Sequence, residues 1–390
     1  MTVTLADVAA RAGVSAATVS RVLSGNYPVA EATRARVLRA VDDLDYVVNG
    51  PASALAAANS DLVGILVNDI ADPFFGIMAG AIQSEMGPAL PLAGNEAWGP
   101  VGGAAAAKPG GGPAGPGTVA EKLAVVCNTN GSPERELTYL TLLQRQRAAA
   151  VVLTGSAADG AEHTERLAAK VAKLVSAGTR VVLCGRPPVP GALALTFDNR
   201  GGARRLTEHL LTLGHRRIGY IAGPVDRTTT RHRLEGHLAA LAAHGPPTTP
   251  ATPHAPPNRP STGEGPPLVV HGAYDRASGY DAACELLRRE PNITALVAAN
   301  DTVALGACAA LRDLGLSIPR DVSVAGFDDL PFSADAAPAL STVRLPLHEA
   351  GARAGRLALG REATPPGGVA MIRAELMIRD STAPPPATRD

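Results

Sequence analysis

The chain lacks several features that would assign it to a special class of protein. Its only cysteines, Cys127, Cys184, Cys284 and Cys308, are spaced for neither a zinc site nor a disulfide framework, which predicts buried free thiols. No apolar run is long enough to span a bilayer, and the N-terminus has no signal-peptide pattern. A formal net charge of zero argues against nonspecific polyanion binding by the whole molecule. We therefore expect a cytoplasmic globular protein, and 390 residues suggest two or three domains.

The first 23 residues, in contrast, carry the pattern of a helix-turn-helix. Leu5, Val8, Ala9 and Ala12 lie at helical spacing and predict one apolar helix face. Gly13 follows as a residue that permits the positive φ of a helix C-terminus.

The second predicted helix starts at Ser15, which is suited to cap it. Its apolar positions pack on the first helix. The outward face is predicted to consist of Ala16, Ala17, Ser20 and Arg21. A third helix is predicted over 31–44, and residues 1–40 carry a net charge of +3, on the side where a DNA-facing surface would lie.

From residue 62 the pattern changes to apolar strands separated by helical stretches. This alternation predicts βαβ units in doubly wound α/β layers. The predicted strands are Leu62–Val67, Leu123–Cys127, Val151–Leu153, Val181–Leu183, Ile218–Ile221, Leu296–Ala299 and Val322–Phe327.

Two segments of low complexity interrupt this alternation. Residues 87–118 are mostly Gly, Ala and Pro, and residues 245–267 contain nine prolines, so both are predicted to be flexible surface insertions. Gly110, Gly112 and Gly115 match the spacing of a dinucleotide-binding loop, but no strand precedes them and Pro113 interrupts them. The sequence therefore predicts no cofactor and no metal site.

The motifs along the chain, taken together and in this order, resemble those of the LacI/GalR family of transcription regulators. The resemblance covers nearly the whole length. It rests on the helix-turn-helix run and on the segments Asp72–Phe75, Gly214–Gly219, Ala299–Gly306, Pro319–Asp329, Pro338–Val343 and Arg379–Thr382.

The resemblance implies a helix-turn-helix headpiece (1–46), a hinge linker (47–60) and a periplasmic-binding-protein-like core (61–385). The core is expected to have two α/β subdomains joined by crossovers near Asp198, Arg344 and Val369. The expected N-subdomain covers 61–198 and 345–369, and the expected C-subdomain covers 199–343 and 370–385.

Carried over by position, the resemblance also implies the DNA contacts. Arg21 is the residue suited to bidentate contact with guanine. The alternative interpretation of Arg21 is an ordinary solvent-exposed arginine on the helix surface. Leu55 lies where family members wedge a leucine into the minor groove, although Ser53 replaces the usual hinge arginine. The residues expected to contact base edges are Ala16, Ala17, Ser20 and Arg21. The residues expected to contact phosphates are Thr4, Ser15, Thr18 and Asn26.

For the effector, the resemblance implies a cleft in which charged groups, amides and rings meet a small polar molecule. For Phe74 and Phe75, packing in the core without ligand contact is an equal alternative. For Asp328, the alternative is a residue that only forms the turn at the end of its strand. The full set is Phe74, Phe75, Asp198, Arg227, Thr229, Arg233, Tyr274, Asn300 and Asp328.

The leading interpretation is a ligand-responsive repressor that binds a roughly palindromic operator as a homodimer or higher homo-oligomer, with a sugar favoured over a purine or nucleoside as effector. A solute-binding protein of the same fold is the alternative. An enzyme is not expected, because no nucleophile elbow, metal-ligand cluster or credible cofactor loop is found. The family pattern is also altered at Ala148–Ala150, which replace a more typical Val-Asp-Gly.

Overall fold

The computed structural model describes residues 3–24, 28–44, 60–87, 121–244 and 268–386. They fall into two compact units, Met1–Ser60 and Asp61–Asp390. The expectations for Asn26, Leu55, the glycines at 110–115 and nearly all of both insertions lie outside the described residues. Within the described part of the chain, no helix is long and apolar enough to cross a membrane.

The N-terminal unit is a bundle of three short helices. They are α1 (Leu5–Ala12), α2 (Ala16–Ser24) and α3 (Glu31–Asp43), so the predicted third helix is confirmed to within one residue. Val8, Val19 and Val37, one from each helix, are completely buried and form the centre of the core. Arg11 and Asp43 form an ion pair of 3.0 Å between α1 and α3.

The second unit contains two lobes. The first lobe has a parallel six-stranded sheet in the order β11-β5-β4-β3-β1-β2. Its strands are β1 (Leu62–Val67), β2 (Leu123–Asn128), β3 (Ala150–Thr154), β4 (Arg180–Cys184), β5 (Leu193–Phe197) and β11 (Val369–Ile372). Its helices are α4 (Pro73–Ser84), α5 (Pro133–Arg145), α6 (Ala161–Ser176) and α12 (Leu347–Leu359).

The second lobe has a parallel four-stranded sheet in the order β7-β6-β8-β9 and an antiparallel pair, β10 with β12. Its strands are β6 (Ile218–Ala222), β7 (Val269–His271), β8 (Ala295–Ala298), β9 (Ser323–Ala325), β10 (Thr342–Arg344) and β12 (Glu375–Met377). Its helices are α7 (Asn199–Thr212), α8 (Thr228–His244), α9 (Arg276–Arg289), α10 (Asp301–Asp313) and the short α11 (Phe332–Asp335).

The chain crosses between the lobes three times, after β5, after β10 and after β11. The first two crossings lie where the sequence predicts them, at Asp198 and Arg344. The third lies further along the chain than expected, because β11 pairs in parallel with β5 from Val369 to Ile372. Residues 370–372 therefore belong to the first lobe and not, as expected, to the second. The physical reason is that β11 is a half-exposed edge strand of only four residues, and its apolar run VAMI is too short to be told from a loop by sequence.

All seven predicted strands are present. Six of them match to within about one residue at each end, whereas β9 is shorter than predicted. The strands that the sequence did not predict are β5, β7, β10, β11 and β12, each of five residues or fewer. The doubly wound α/β architecture is confirmed.

Helices α9 and α10 approach each other at two glycines, Gly279 and Gly306. A Cβ atom on Gly306 would collide with the carbonyl oxygen of Arg276 and would lie 2.8 Å from the nitrogen of Tyr280. A Cβ atom on Gly279 would collide with the carbonyl oxygen of Val303. Because these neighbours are backbone atoms, they cannot rotate away, and the helices themselves would have to separate.

We therefore expect Gly306→Ala to lower the free energy of unfolding by about 1–3 kcal/mol, the usual cost of overpacking. Gly80→Ala is the control, since its Cβ meets nothing within 4 Å on α4 and replaces a helical glycine with a better helix former. Urea denaturation of both variants measures the difference. Equal stability of Gly306→Ala and wild type would contradict the packing described.

Candidate functional site

Capping residues at the helix ends define the helix-turn-helix. Thr4 and Asp7 form a capping box at α1, in which the Thr4 nitrogen donates to Asp7 Oδ2 at 2.7 Å. The Thr4 hydroxyl also donates to Asp7 Oδ2, at 2.7 Å, and this bond, with a further contribution from the Thr4 nitrogen, lowers the pKa of Asp7. Gly13 ends α1 with φ of 64°, and Ser15 Oγ then accepts from the Thr18 nitrogen at 3.2 Å at the start of α2. Local sequence thus fixes both ends of the turn.

The two faces of α2 differ as the sequence predicts. Val19 and Val22 are buried against the other helices. The side chains that face outward and are exposed are Ala16, Ala17, Ser20 and Arg21. Thr4 and Ser15 are also exposed, and Thr18 is half-buried, with its hydroxyl 2.9 Å from Ser15 Oγ. This face has the small side chains and the single long cation that entry into a major groove requires.

The second unit holds a cleft of about 240 Å³ between its two lobes. The cleft lies at the carboxyl ends of parallel strands, where ligand sites of open α/β sheets form. Asn68 follows β1, Gly155 follows β3, Asn300 follows β8 and Asp328 follows β9. Backbone and side chains from several loops therefore converge on one space.

A buried ion pair forms the floor of the cleft on the second lobe. Arg233 Nη2 donates to Asp328 Oδ1 at 2.7 Å, and both side chains are only 5% exposed. Arg233 Nε donates to Asn199 Oδ1 at 2.8 Å, and its Nη1 donates to the carbonyl of Ala299 at 2.5 Å. Its guanidinium carbon lies 3.7 Å from the centre of the Phe327 ring. The arginine is thus held in one orientation.

Carboxylates outnumber cations around the cleft. The acidic lining residues are Asp69, Asp72, Asp275 and Asp328, and the basic ones are Arg227 and Arg233. Burial raises the pKa of Asp72 to about 6, and the charges of Asp328 and Asp69 add to this effect. Burial also raises the pKa of Asp328, although Arg233 opposes the shift.

Aromatic rings form the opposite wall. Phe74 meets Phe75 edge-on, with ring centres 5.0 Å apart, and meets Phe197 at 6.4 Å. Phe74 and Phe75 belong to the hydrophobic core and also line the cleft. On the other side the Tyr274 hydroxyl lies 2.6 Å from Thr230 Oγ1. Such rings offer apolar faces beside the carboxylates and amides.

Eight of the nine residues predicted for the effector line this cleft, the exception being Asp198. The Asp198 carboxylate instead caps α7 by accepting from the Gly201 nitrogen at 3.0 Å, and it pairs with Arg205 at 3.1 Å. Its neighbour Asn199 lines the cleft. The expectation for Asp198 is thus wrong by one residue, because its carboxylate is held by the Gly201 nitrogen and by Arg205, away from the cleft.

Several lining residues were not singled out from the sequence. The polar ones are Asn68, Asp69, Asp72, Asn130, Ser156, Asn199 and Asp275. Most of them directly follow a strand or cap a helix, so the rule that sites form at strand ends would have identified them. Asp72 also lies in the segment Asp72–Phe75, for which the resemblance implies only the two rings as effector contacts.

Comparisons with known proteins find a matching protein family for each of the two units. The family model described as bacterial regulatory proteins, lacI family, matches residues 4–49, and the one described as periplasmic binding protein-like domain matches residues 207–382. The transcriptional regulator MalR of Streptomyces coelicolor is 35% identical over 392 residues, which cover 100% of this chain and 99% of that protein. GalR of Escherichia coli is 32% identical over 359 residues, covering 91% and 88%.

Solved structures give the same result. The lac repressor dimer bound to operator and the anti-inducer ONPF superposes with a TM-score of 0.72 at 25% identity, covering 98% of this chain and 100% of that one. The complex of the transcriptional regulator CelR with cellobiose gives a TM-score of 0.59 at 28% identity, covering 97% and 99%. By sequence and by fold, the chain belongs to the LacI family, and it is a DNA-binding transcription regulator with a helix-turn-helix headpiece and a periplasmic-binding-protein-like core.

Proposed function

We propose that this regulator is a repressor whose operator binding is controlled by a sugar in the cleft. The observation that carries the proposal is the cleft itself, in which carboxylates, amides and rings from both lobes converge around a fixed Arg233–Asp328 pair. A solute-binding protein of the same fold would need no exposed helix-turn-helix face, which argues against that alternative.

A sugar suits this lining because its hydroxyls donate to carboxylates and accept from amides or guanidinium groups, while its C–H faces stack on rings. Asp72 and Asn300 supply the first kinds of partner, and Phe74 and Phe75 supply the rings. The solved complex of CelR with cellobiose supports the same class of ligand. A purine is the second candidate, because Arg227 and Tyr274 also suit a planar base.

Control of DNA binding requires that the sugar bind one arrangement of the lobes better than another. Both lobes contribute residues to the cleft, so closure around a ligand changes how many of its contacts are made. We propose a homodimer, in line with the lac repressor dimer on its operator, because two headpieces then match a roughly palindromic site. We propose that the activity is binding and not catalysis, and that the protein acts in the cytoplasm, where its DNA target lies.

On the DNA side, we expect Arg21→Ala to weaken binding to the specific operator by about 1–3 kcal/mol, the value of a bidentate arginine–guanine contact. Arg21 is exposed on α2, so the headpiece core is retained. Arg34→Ala, exposed on α3, is the control. Fluorescence anisotropy on an operator selected from random duplexes, and on a scrambled duplex, gives the specificity ratio. The base contact is refuted if Arg21→Ala discriminates between the two duplexes as well as Arg34→Ala does.

On the effector side, we expect sugar affinity to fall as the pH is lowered through the raised pKa of Asp72, which lies at about 6. The ionised carboxylate accepts hydroxyl donors and the protonated form loses an acceptor, so the Kd at pH 5 should be about tenfold higher than at pH 7. Asp72→Asn should reduce this change, since asparagine keeps the cap of α4 but does not titrate.

Isothermal titration calorimetry with the best sugar from a panel of monosaccharides and disaccharides, cellobiose included, measures both proteins. An undiminished pH dependence in Asp72→Asn would show that another group, such as Asp328, whose pKa is also raised by burial, is responsible. A Kd that is constant between pH 5 and pH 7 in wild type would contradict the assignment of Asp72 as a ligand-binding carboxylate.

A further inference from the structure

The loop after β9 adopts a backbone conformation that side-chain-bearing residues rarely take. Asp328 has φ of 103° and Asp329 has φ of 55°, so two consecutive aspartates have positive φ. Such conformations cost free energy and persist only where the surrounding structure holds them. Because Asp328 lines the cleft, whatever holds this loop also fixes part of the cleft.

The Asp329 carboxylate is held between two arginines. Arg344 Nε donates to Asp329 Oδ2 at 2.6 Å, and Arg379 Nη2 lies 2.7 Å from Asp329 Oδ1. The Asp329 side chain is only 7% exposed and Arg379 17%, whereas Arg344 is 44% exposed, so the carboxylate is shielded from solvent and the Arg344 side chain partly reaches it. Asp329 is absent from the cleft lining, and its carboxylate is fully engaged behind it.

The two arginines lie close to places where the chain passes between the lobes. Arg344 is the last residue of β10, immediately before the second crossing. Arg379 follows β12, just after the third crossing, and its Nη1 donates to the carbonyl of Leu340 at 2.8 Å. The backbone adds a direct link, since the Asp328 nitrogen donates to the carbonyl of Val343 at 2.7 Å.

We infer that Asp329 is a positioning residue of the cleft, which anchors the strained loop bearing Asp328 to the chain segments beside the second and third crossings. Its two ion pairs hold the positive-φ conformation that directs Asp328 toward Arg233. A ligand that contacts Asp328 is thereby linked to the segments about which the lobes move. Only this last consequence rests on the proposed function.

Asp329→Asn tests the inference, because it keeps the shape of the side chain and removes the charge shared by the arginines. Arg344→Gln is a second variant, which removes only the contact at the second crossing. Arg353→Gln is the matched control: it breaks an ion pair of similar length, 2.7 Å to Glu362, that includes no residue of the Asp329 loop.

The first measurement is amide hydrogen exchange of the full chain without sugar. In Asp329→Asn we expect the amides of Asp328 and Leu330 to exchange about tenfold faster, given the strength of charge-assisted hydrogen bonds. The increase should be smaller in Arg344→Gln and absent in Arg353→Gln. The amides of β8 should keep their protection in all three, which separates loss of positioning from general unfolding.

The second measurement is the Kd for cellobiose, or for the best sugar of the panel, which should rise about tenfold in Asp329→Asn and remain within about twofold of wild type in Arg353→Gln. The inference is overturned if loop exchange in both Asp329→Asn and Arg344→Gln equals that of the control. Should wild type bind none of the sugars, the proposed function fails, while the exchange data still decide the positioning of the loop.

Discussion

The buried ion pair between Arg233 and Asp328 is the interaction on which the cleft depends. A charge removed from water is tolerated only when it is paired and hydrogen-bonded, and loss of one partner typically costs about 3–5 kcal/mol. Here the guanidinium meets that need with contacts to Asp328, Asn199 and Ala299, while the Phe327 ring lies against it. One side chain from α8 therefore sets the relative positions of two loops of the second lobe and the first residue of α7.

The two lobes also touch across the cleft through two arginine side chains. Arg227 Nη2 donates to the carbonyl of Gly131 at 2.6 Å, and Arg231 Nε donates to Asp159 Oδ2 at 2.5 Å. Both contacts join the second lobe to the first, and opening the cleft would break them. A ligand that contacts both lobes acts on the same equilibrium between open and closed arrangements. It shifts that equilibrium toward closure only as far as it binds the closed arrangement more tightly than the open one.

The sequence predicted the architecture well because the strongest signals were local. Caps and apolar spacing specified the headpiece, and the apolar runs specified most strands of both sheets. The remaining errors concern short elements and side-chain direction. β11 has four residues and a half-exposed pattern, so the third crossing was placed too early. Asp198 and Asn199 are adjacent, and only the cap geometry of α7 shows which of them faces the cleft. The support behind Asp328 depends on Arg344 and Arg379, which are remote in sequence, and no local pattern indicates such contacts.

We propose that a ligand in the cleft controls, within one chain, how tightly the headpiece binds DNA. A titration of the selected operator with the full-length protein, with and without saturating sugar from the panel, tests this coupling. We expect high-affinity operator binding that changes by about 5- to 150-fold when the sugar is added, the usual range for coupled sites. Operator binding that no saccharide alters, although calorimetry shows the sugar bound, would contradict it.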